Sequence, residues 1–593
     1  MSDRGEKART SGRDRPHGSR IGVYICHCGG NISDYVDVER VLEAVKDEPG
    51  VAVAKTAMFT CSDATQQEMA EDIREHGLDG LVVASCSPKL HQFTFREVAR
   101  RAGLNPYQYS QVNIREQCSW AHTDDRAGAT DKAIRLVRGG IARTRSSLPL
   151  TPLVVDTVPR VLVVGAGVAG LRAALGLAQV GLEVVVVERE AEVGGWVAGL
   201  GELYPHGRHG GGLVAGLLDQ VRAQPGITLL TGAELVEKSG AFGNFQVEIR
   251  QGASRTVRAD VGAVIVATGF ETYDPPAGEF GRGRPGVVTL PEFQRFLEAG
   301  TGALVYEGRP VRSIVYVYCV GSRQGPKAGG GNLYCSRYCC GAAGHLSNRV
   351  ADRDPAVRQY HLYRDIRTYG NLEAIFTESR NRGSVYIRFD ESEPPVVSGD
   401  AGAGEPRLKV RVRDLLTAGE ELDIRADLVV LVTGMVPRPN EELVRTLKLP
   451  VGKDGFFSEI HPKLRPVETV VDGVLICGAC QGPKNSSESV ASALAAAAQG
   501  AAVLKKGYAE LDPLVAVVDP ERCDDCGQCY PACPFEAIER VPHQGREVAS
   551  VRRAVCKGCG ACVPVCPAAA IDLLGYTDEQ IRAMIDGLLK ETA

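Results

Sequence analysis

The sequence predicts an α/β protein: a parallel-sheet domain with a dinucleotide turn, a small α/β domain before it and a compact cysteine-dense unit after it. Three observations carry this. Short apolar runs alternate with helical patterns over most of the chain, as parallel sheets require. A Gly-x-Gly-x-x-Gly follows one apolar run and opens a helix. A cysteine run repeats near the end of the chain. At 593 residues the chain is too long for one core, and about 150 residues per domain suggests roughly four. Net charge is −5, which excludes a basic nucleic-acid footprint. Hydrophobic content of 44% fits a soluble globular chain.

Residues 1–20 hold six basic and three acidic side chains and no apolar run. The composition predicts a disordered tail rather than a signal peptide. The longest apolar stretch, 490–504, is Ala-rich and broken by Ser492, Gln499 and Gly500. It predicts a buried helix, not a membrane span, so a cytoplasmic location is expected.

A first α/β domain is expected over 21–148, with strands at 21–27 and 80–84 and helices at 35–46 and 64–76. Cys26, Cys28, Cys61, Cys86 and Cys118 each fall at a strand end or in a loop. Their spacing forms no motif. A cluster held by four of them and ordinary reduced thiols are both open readings.

Residues 144–160 contain three prolines and read as a linker into a domain spanning 149–510. There Val161-Leu-Val-Val-Gly165-Ala-Gly167-Val-Ala-Gly170 lies between an apolar strand and a helix at 171–179. Gly165 makes the tight turn, Gly167 admits a pyrophosphate close to the backbone, and Gly170 lets helix and strand pack. The helix N-terminus faces the phosphates. The next strand, 183–187, ends at Glu188, placed to accept from ribose hydroxyls.

FAD is the expected dinucleotide. Gly194-Gly195 follows Glu188, Val264-Ile-Val-Ala-Thr268-Gly269 would close the domain, and Asp472-Gly473-Val474-Leu-Ile-Cys-Gly478-Ala479 would return over the flavin. These segments resemble flavoproteins related to thioredoxin and glutathione reductase, implying their two-dinucleotide-domain FAD fold. In that fold an inserted second domain, here about 308–425, normally carries its own glycine loop. The strand at 311–318 instead runs into Cys319-Val-Gly-Ser-Arg323 and on to Cys335, Cys339 and Cys340. From spacing alone these four are a cluster, redox-active thiols or buried thiols. Further strands are expected at 263–267 and 428–432, and an exposed loop at 391–407. Cys477 and Cys480 form a CxxC, read as two packed thiols rather than a redox disulfide.

The last unit, 511–575, carries Cys523-x2-Cys526-x2-Cys529-x3-Cys533-Pro, repeated as Cys556-x2-Cys559-x2-Cys562-x3-Cys566-Pro. This is the bacterial two-cluster ferredoxin spacing, in which the fourth cysteine of each run ligates the other cluster. It assigns Cys523, Cys526, Cys529 and Cys566 to one [4Fe-4S] cluster, and Cys556, Cys559, Cys562 and Cys533 to the other. A helix is expected over 576–593.

After residue 20 the chain resembles the A-type subunits of heterodisulfide reductase. The matching pieces are Cys26-His-Cys-Gly, Ala84-Ser-Cys-Ser-Pro88, Asn113-Ile-Arg-Glu-Gln-Cys-Ser-Trp120, Cys319-Val-Gly-Ser-Arg323, Tyr334-Cys-Ser-Arg-Tyr-Cys-Cys340, Asp365-Ile-Arg-Thr-Tyr-Gly370 and Gly478-Ala-Cys-Gln-Gly-Pro-Lys484. The resemblance implies a [4Fe-4S] cluster at Cys319, Cys335, Cys339 and Cys340 and favours an N-terminal one. It implies an electron-transfer role alongside B- and C-type heterodisulfide reductase subunits, ferredoxin and a hydrogenase, formate- or NADH-oxidising module, as a homodimer in some members. Flavin-based electron bifurcation is the family's best-known activity. Two departures stand out: residues 196–245 contain no cysteine, so the second ferredoxin unit of longer members is missing, and His345 takes the place of a lysine beside the flavin. The competing expectations are a stand-alone NAD(P)H-dependent oxidoreductase of the glutamate synthase small-chain type and a non-catalytic assembly protein.

Overall fold

The computed structural model describes residues 20–300, 302–325, 331–399 and 408–590. The tail expected at 1–20 therefore lies outside the described residues except for Arg20. The chain divides into two compact units, 1–154 with 510–593, and 155–509.

In the first unit four parallel strands stand in the order Val51–Ala57, Ile21–Cys26, Gly80–Ser85, Tyr109–Asn113. The two central strands are buried along their whole length, which is why they read as unbroken apolar runs. Helices start at capping side chains: Asp37 accepts from Arg40 N, Ser62 from Thr65 N, and Ser87 from Lys89 N ahead of Pro88. Helix Arg126–Arg145 covers one face so closely that a Cβ at Gly140 would lie 2.5 Å from Val112 Cγ2.

The cysteine-dense segment folds as two antiparallel ribbons, Ala516–Val518 with Ile571–Leu573 and Ile538–His543 with Arg546–Val551. Helix Asp578–Leu589 then packs on Arg126–Arg145 through a glycine contact. A Cβ on Gly587 would lie 2.9 Å from Arg138 O, and one on Gly139 would lie 3.1 Å from Leu588 Cγ. Arg143 donates to Gly575 O at 2.7 Å and stacks over Tyr576, while Lys590 pairs with Glu48 at 2.6 Å. The first domain, the cysteine-dense segment and the last helix thus form one compact unit rather than three separate pieces.

The second unit contains two parallel five-stranded sheets. The first runs Ile227–Leu230, Glu183–Val187, Arg160–Val164, Ala263–Val266, Val474–Ile476. The second runs Val287–Thr289, Leu428–Thr433, Ser313–Val320, Arg358–Tyr363, Val385–Arg388. The inserted domain is therefore wider than the expected 308–425, because its sheet takes Val287–Thr289 and Leu428–Thr433 from outside those bounds. Part of the expected loop at 391–407 is strand Val396–Gly399, paired antiparallel with Leu408–Asp414; residues 400–407 lie outside the described residues. The Ala-rich stretch forms helix Ser486–Leu504, whose small residues let it approach Val168–Gln179. A Cβ on Gly176 would meet Ala497 Cβ at 3.4 Å. No helix among the described residues is long and apolar enough to cross a membrane.

Candidate functional site: a dinucleotide cavity and three cysteine constellations

A cavity of about 580 Å³ opens at the carboxyl ends of the first sheet of the second unit, where parallel α/β sheets bind ligands. Gly165, Gly167, Glu188, Gly194, Gly195, Thr268, Gly269 and Ala479, all named from sequence as candidates, line it. Gly165 has φ +104, and a Cβ there would sit 2.5 Å from Ala267 O. A Cβ on Gly170 would lie 1.8 Å from Gly165 O, whereas Gly167 has nothing within 4 Å. That open space is a cradle left for a group outside the protein. Glu188 is oriented by Ala166 N, which donates to Oε2 at 2.7 Å, and by Glu190 N, which donates to Oε1 at 3.1 Å.

Asp472 does not join them. It is exposed and precedes strand Val474–Ile476 at the amino end, whereas the cavity lies at the carboxyl end. The return segment instead presents Ala479 to the cavity. Gly478, at φ +74, packs against Ala169 and donates its N–H to Ser492 Oγ at 3.1 Å.

Sequence reasoning missed several wall residues: Trp196, Glu202, Tyr204, Asn440 and Lys484. Trp196, Glu202, Tyr204 and Asn440 fall in no recognisable spacing, because separate segments bring them together only in the folded protein; Lys484 ends the Gly478–Lys484 stretch, whose side-chain role the sequence did not mark. Lys484 lies just ahead of helix Ser486–Leu504, and burial lowers its pKa. His345 also lines the cavity; its Nε2 is out of solvent contact and has no hydrogen-bond partner. An open glycine cradle at Gly167 and a carboxylate at the end of the second strand fit a bound FAD.

Cys319, Cys335, Cys339 and Cys340 come together beside this cavity. A hydrogen bond with Cys340 and burial push the Cys339 thiol well above its ordinary pKa, and the charges of Cys340, Cys319 and Cys335 add to this. Strand Ser313–Val320 delivers Cys319 and helix Cys339–Arg353 starts with the adjacent pair. Cys319 is held at φ +62, a conformation that costs energy for a non-glycine residue. Arg323 and Arg364 both act on Cys319, giving the group a cationic surround. Tyr338 and Ala342, flanking Cys339 and Cys340, are part of the cavity wall.

In the first unit all five N-terminal cysteines lie at or after the carboxyl ends of the four parallel strands, with Cys26 as the last residue of Ile21–Cys26. Burial raises the pKa of Cys61 and of Cys86, the latter to about 11, and the charges of Cys26 and Cys28 add to both. Arg115 donates to Cys28 Sγ at 3.5 Å, and Thr60 N donates to Cys26 Sγ at 3.4 Å. Cys28 has φ +55. Cys118 stands apart: it is fully buried, and the charged group acting on it is Lys132.

The ferredoxin-type runs cross as their spacing requires. Cys523, Cys526 and Cys566 act on Cys529, while Cys556, Cys533 and Cys559 act on Cys562. Backbone N–H groups of Ala549, Ala570, Ala537 and Ala516 donate to Cys523, Cys566, Cys533 and Cys556 Sγ at 3.3–3.5 Å. Such donors stabilise sulfur ligands and help set cluster potentials. Cys526 and Cys559 are exposed.

Cys477 and Cys480 are both buried but belong to cores on opposite faces of the first sheet. They are free thiols, and Cys480 Sγ donates to Cys477 O at 3.1 Å.

Residues 159–305 match the pyridine nucleotide-disulphide oxidoreductase family, and residues 516–573 match the 4Fe-4S dicluster domain. Among solved structures, thioredoxin reductase of T. acidophilum is 18% identical, with a TM-score of 0.40, over 59% of this chain and 99% of that one. The second of two A-type iron–sulfur subunits of CoB–CoM heterodisulfide reductase from Methanopyrus kandleri is 36% identical over 89% of this chain and 92% of its own length. Its counterpart from Methanocaldococcus jannaschii is 35% identical over 96% of this chain and 98% of its own. The A-type subunit of the H(2):CoB-CoM heterodisulfide,ferredoxin reductase of Methanothermobacter thermautotrophicus is 34% identical over 88% and 90%. With an FAD-binding oxidoreductase domain and a dicluster domain on one chain, this protein belongs to the family of A-type iron–sulfur subunits of heterodisulfide reductase and is an electron-transferring iron–sulfur flavoprotein oxidoreductase.

Proposed function

We propose that the chain is the electron-distributing component of a cytoplasmic heterodisulfide reductase-like complex, passing electrons between a donor module and B- and C-like subunits. The carrying observation is the Cys319–Cys340 constellation at the wall of the dinucleotide cavity, where a second nucleotide domain would hold its phosphate turn. When bound, FAD supplies paired-electron chemistry and the clusters single-electron transfer.

The chain's own residues divide the work. Gly165, Gly167, Glu188, Gly194, Gly195, Thr268, Gly269 and Ala479 would hold FAD. Cys319, Cys335, Cys339 and Cys340 would hold one cluster, and the crossed sets led by Cys523 and Cys556 two more. Of the five N-terminal cysteines, Cys26, Cys28, Cys61 and Cys86 are the proposed ligand set, because their charges act on one another; Cys118 serves the core. The exposed Cys526 and Cys559 mark where electrons would pass to and from protein partners such as ferredoxin.

The test is iron, acid-labile sulfide and FAD per chain in anaerobically reconstituted protein. Four clusters give about sixteen irons per FAD, and about eight would reject the Cys319–Cys340 and N-terminal assignments. Cys86→Ser is expected to lose about four irons and Cys118→Ser none. Cys566→Ser is expected to lose the electron paramagnetic resonance signal of the cluster at Cys523, Cys526 and Cys529, leaving that of its own run intact. Bleaching of the isolated protein by NADH alone would favour a stand-alone NAD(P)H oxidoreductase. Flavin-based bifurcation belongs to this reading as the way electron pairs are divided. It requires that donor oxidation in the assembled complex depend on a high- and a low-potential acceptor together.

A further inference from the structure

A cluster held by four thiolates gains one negative charge on reduction. Burial disfavours that extra charge, and a fixed cation beside a ligand sulfur favours it. The segment Asn113-Ile-Arg-Glu-Gln-Cys-Ser-Trp120 brings such a cation to the N-terminal cysteines.

Strand Tyr109–Asn113 runs into the segment, and Arg115–Ser119 forms one wide helical turn in which Trp120 N donates to Arg115 O. Turns of this kind recur at functional sites. Arg115 Nη1 donates to Cys28 Sγ at 3.5 Å, and the guanidinium lies 4.5 Å over the Trp120 ring. Its Nη2 donates to Glu116 Oε1 at 2.8 Å. Glu116 Oε2 accepts from Ser87 N at 2.9 Å, and Glu116 N donates to Asn113 Oδ1 at 3.0 Å. Since Ser87 follows Cys86, one guanidinium–carboxylate pair ties the Cys28 loop to the Cys86 loop.

The Arg115 side chain is 15% exposed, and a charge so withdrawn from water is weakly screened. It also reaches beyond Cys28. Burial raises the pKa of Cys61 and of Cys86; the Arg115 charge acts against it at both, while Glu116 adds to it at Cys86.

We propose that Arg115 sets the reduction potential of the N-terminal cluster, holding it above the value the four thiolates would give alone, with Glu116 as its counterweight. This rests on Cys26, Cys28, Cys61 and Cys86 binding a [4Fe-4S] cluster. Reduction adds one electron, supplied by the donor module; no bond at Arg115 forms or breaks and no proton moves. The guanidinium stays charged throughout. The N-terminal cluster thereby takes up electrons more readily than its burial would otherwise allow.

The test is an anaerobic redox titration of reconstituted full-length protein, followed by electron paramagnetic resonance. The signal missing from Cys86→Ser identifies the N-terminal cluster. Arg115→Gln is expected to lower the midpoint potential of that signal and Glu116→Gln to raise it, with iron content and the other signals unchanged. Arg115→Lys, which keeps the charge without the planar fork, is expected to stay nearer wild type than Arg115→Gln. Charge produces opposite shifts at these adjacent positions; loosened packing moves both variants the same way or neither. An unchanged midpoint in Arg115→Gln, shifts of one sign in Arg115→Gln and Glu116→Gln, or loss of about four irons from Arg115→Gln and Arg115→Lys alike overturns the inference and leaves the wild-type cluster standing. If Arg115→Gln alone loses the cluster, the Glu116→Gln shift decides: upward supports the inference, and downward or none overturns it. A Cys86→Ser protein that keeps all its iron and every signal overturns the ligand set as well.

Discussion

Gly167→Ala is expected to fold with unchanged stability but to bind FAD more weakly, while Gly170→Ala is expected to lose both FAD and stability. The two glycines are three residues apart in one motif but meet different things. A Cβ on Gly170 would lie 1.8 Å from Gly165 O, so helix Val168–Gln179 must move off its strand. Overpacking of this kind costs about 1–3 kcal/mol, occasionally more. At Gly167 the protein offers a new methyl group no contact at all within 4 Å, so only the cofactor can object. The same 1–3 kcal/mol, paid there in binding, corresponds to about a 5–150-fold weaker FAD affinity. FAD stoichiometry after gel filtration, with thermal unfolding of the apoprotein, reads both effects. Wild-type FAD retention in Gly167→Ala would mean that the pyrophosphate does not approach this turn.

Acidification should unfold the second unit through His361. This residue is fully buried, stacked between Tyr316 and Tyr386 at 4.4 and 4.3 Å, with Tyr318 Oη 2.9 Å from Nδ1 and Ser347 Oγ 3.1 Å from Nε2. Burial pushes its pKa down to about 3, against about 6.5 in an unfolded chain. Between those values the unfolded state binds the extra proton. Stability is therefore complete above pH 6.5 and is lost as pH falls towards 3, by about 1.4 kcal/mol per unit. His361→Phe keeps the stack and loses the titration. It should be less stable than wild type at neutral pH, by about 1–3 kcal/mol for the hydroxyls left unpaired, yet show a flatter fall between pH 6.5 and 5. Urea midpoints at those two pH values decide it; equal slopes would locate the acid sensitivity elsewhere.

The ferredoxin cysteines and the glycine turn were legible because their chemistry is local. Three residues of one run surround most of a cluster, and a phosphate turn needs only one strand, one turn and one helix. The N-terminal cysteines were not, because Cys26, Cys61 and Cys86 come from three strands and meet only when a parallel sheet aligns their carboxyl ends. Asp472 misled for the complementary reason: its segment belongs to the right strand, but direction along a parallel strand decides which end faces a ligand. His345 was visible as a position in a motif, but Glu202, whose Oε1 lies 3.7 Å from its Nε2, was not, since the two are 143 residues apart. Cys477 and Cys480 read from sequence as two packed thiols; Cys477 follows strand Val474–Ile476, Cys480 lies in the short helical turn Gly478–Gln481, and the turn sends them into cores on opposite faces of the sheet.

The contact of Gly587 with Gly139 also orders events in time. The two segments of the first unit are separated by residues 155–509, and helix Arg126–Arg145 leaves the ribosome long before Asp578–Leu589 exists. At about 5–20 residues per second the wait is on the order of 20–90 seconds. Through that interval the narrow glycine surface prepared for Leu588 faces the nascent-chain environment uncovered. The flavin domain, translated in between, can fold as a continuous stretch. The first unit closes last, when the end of the chain returns to its beginning.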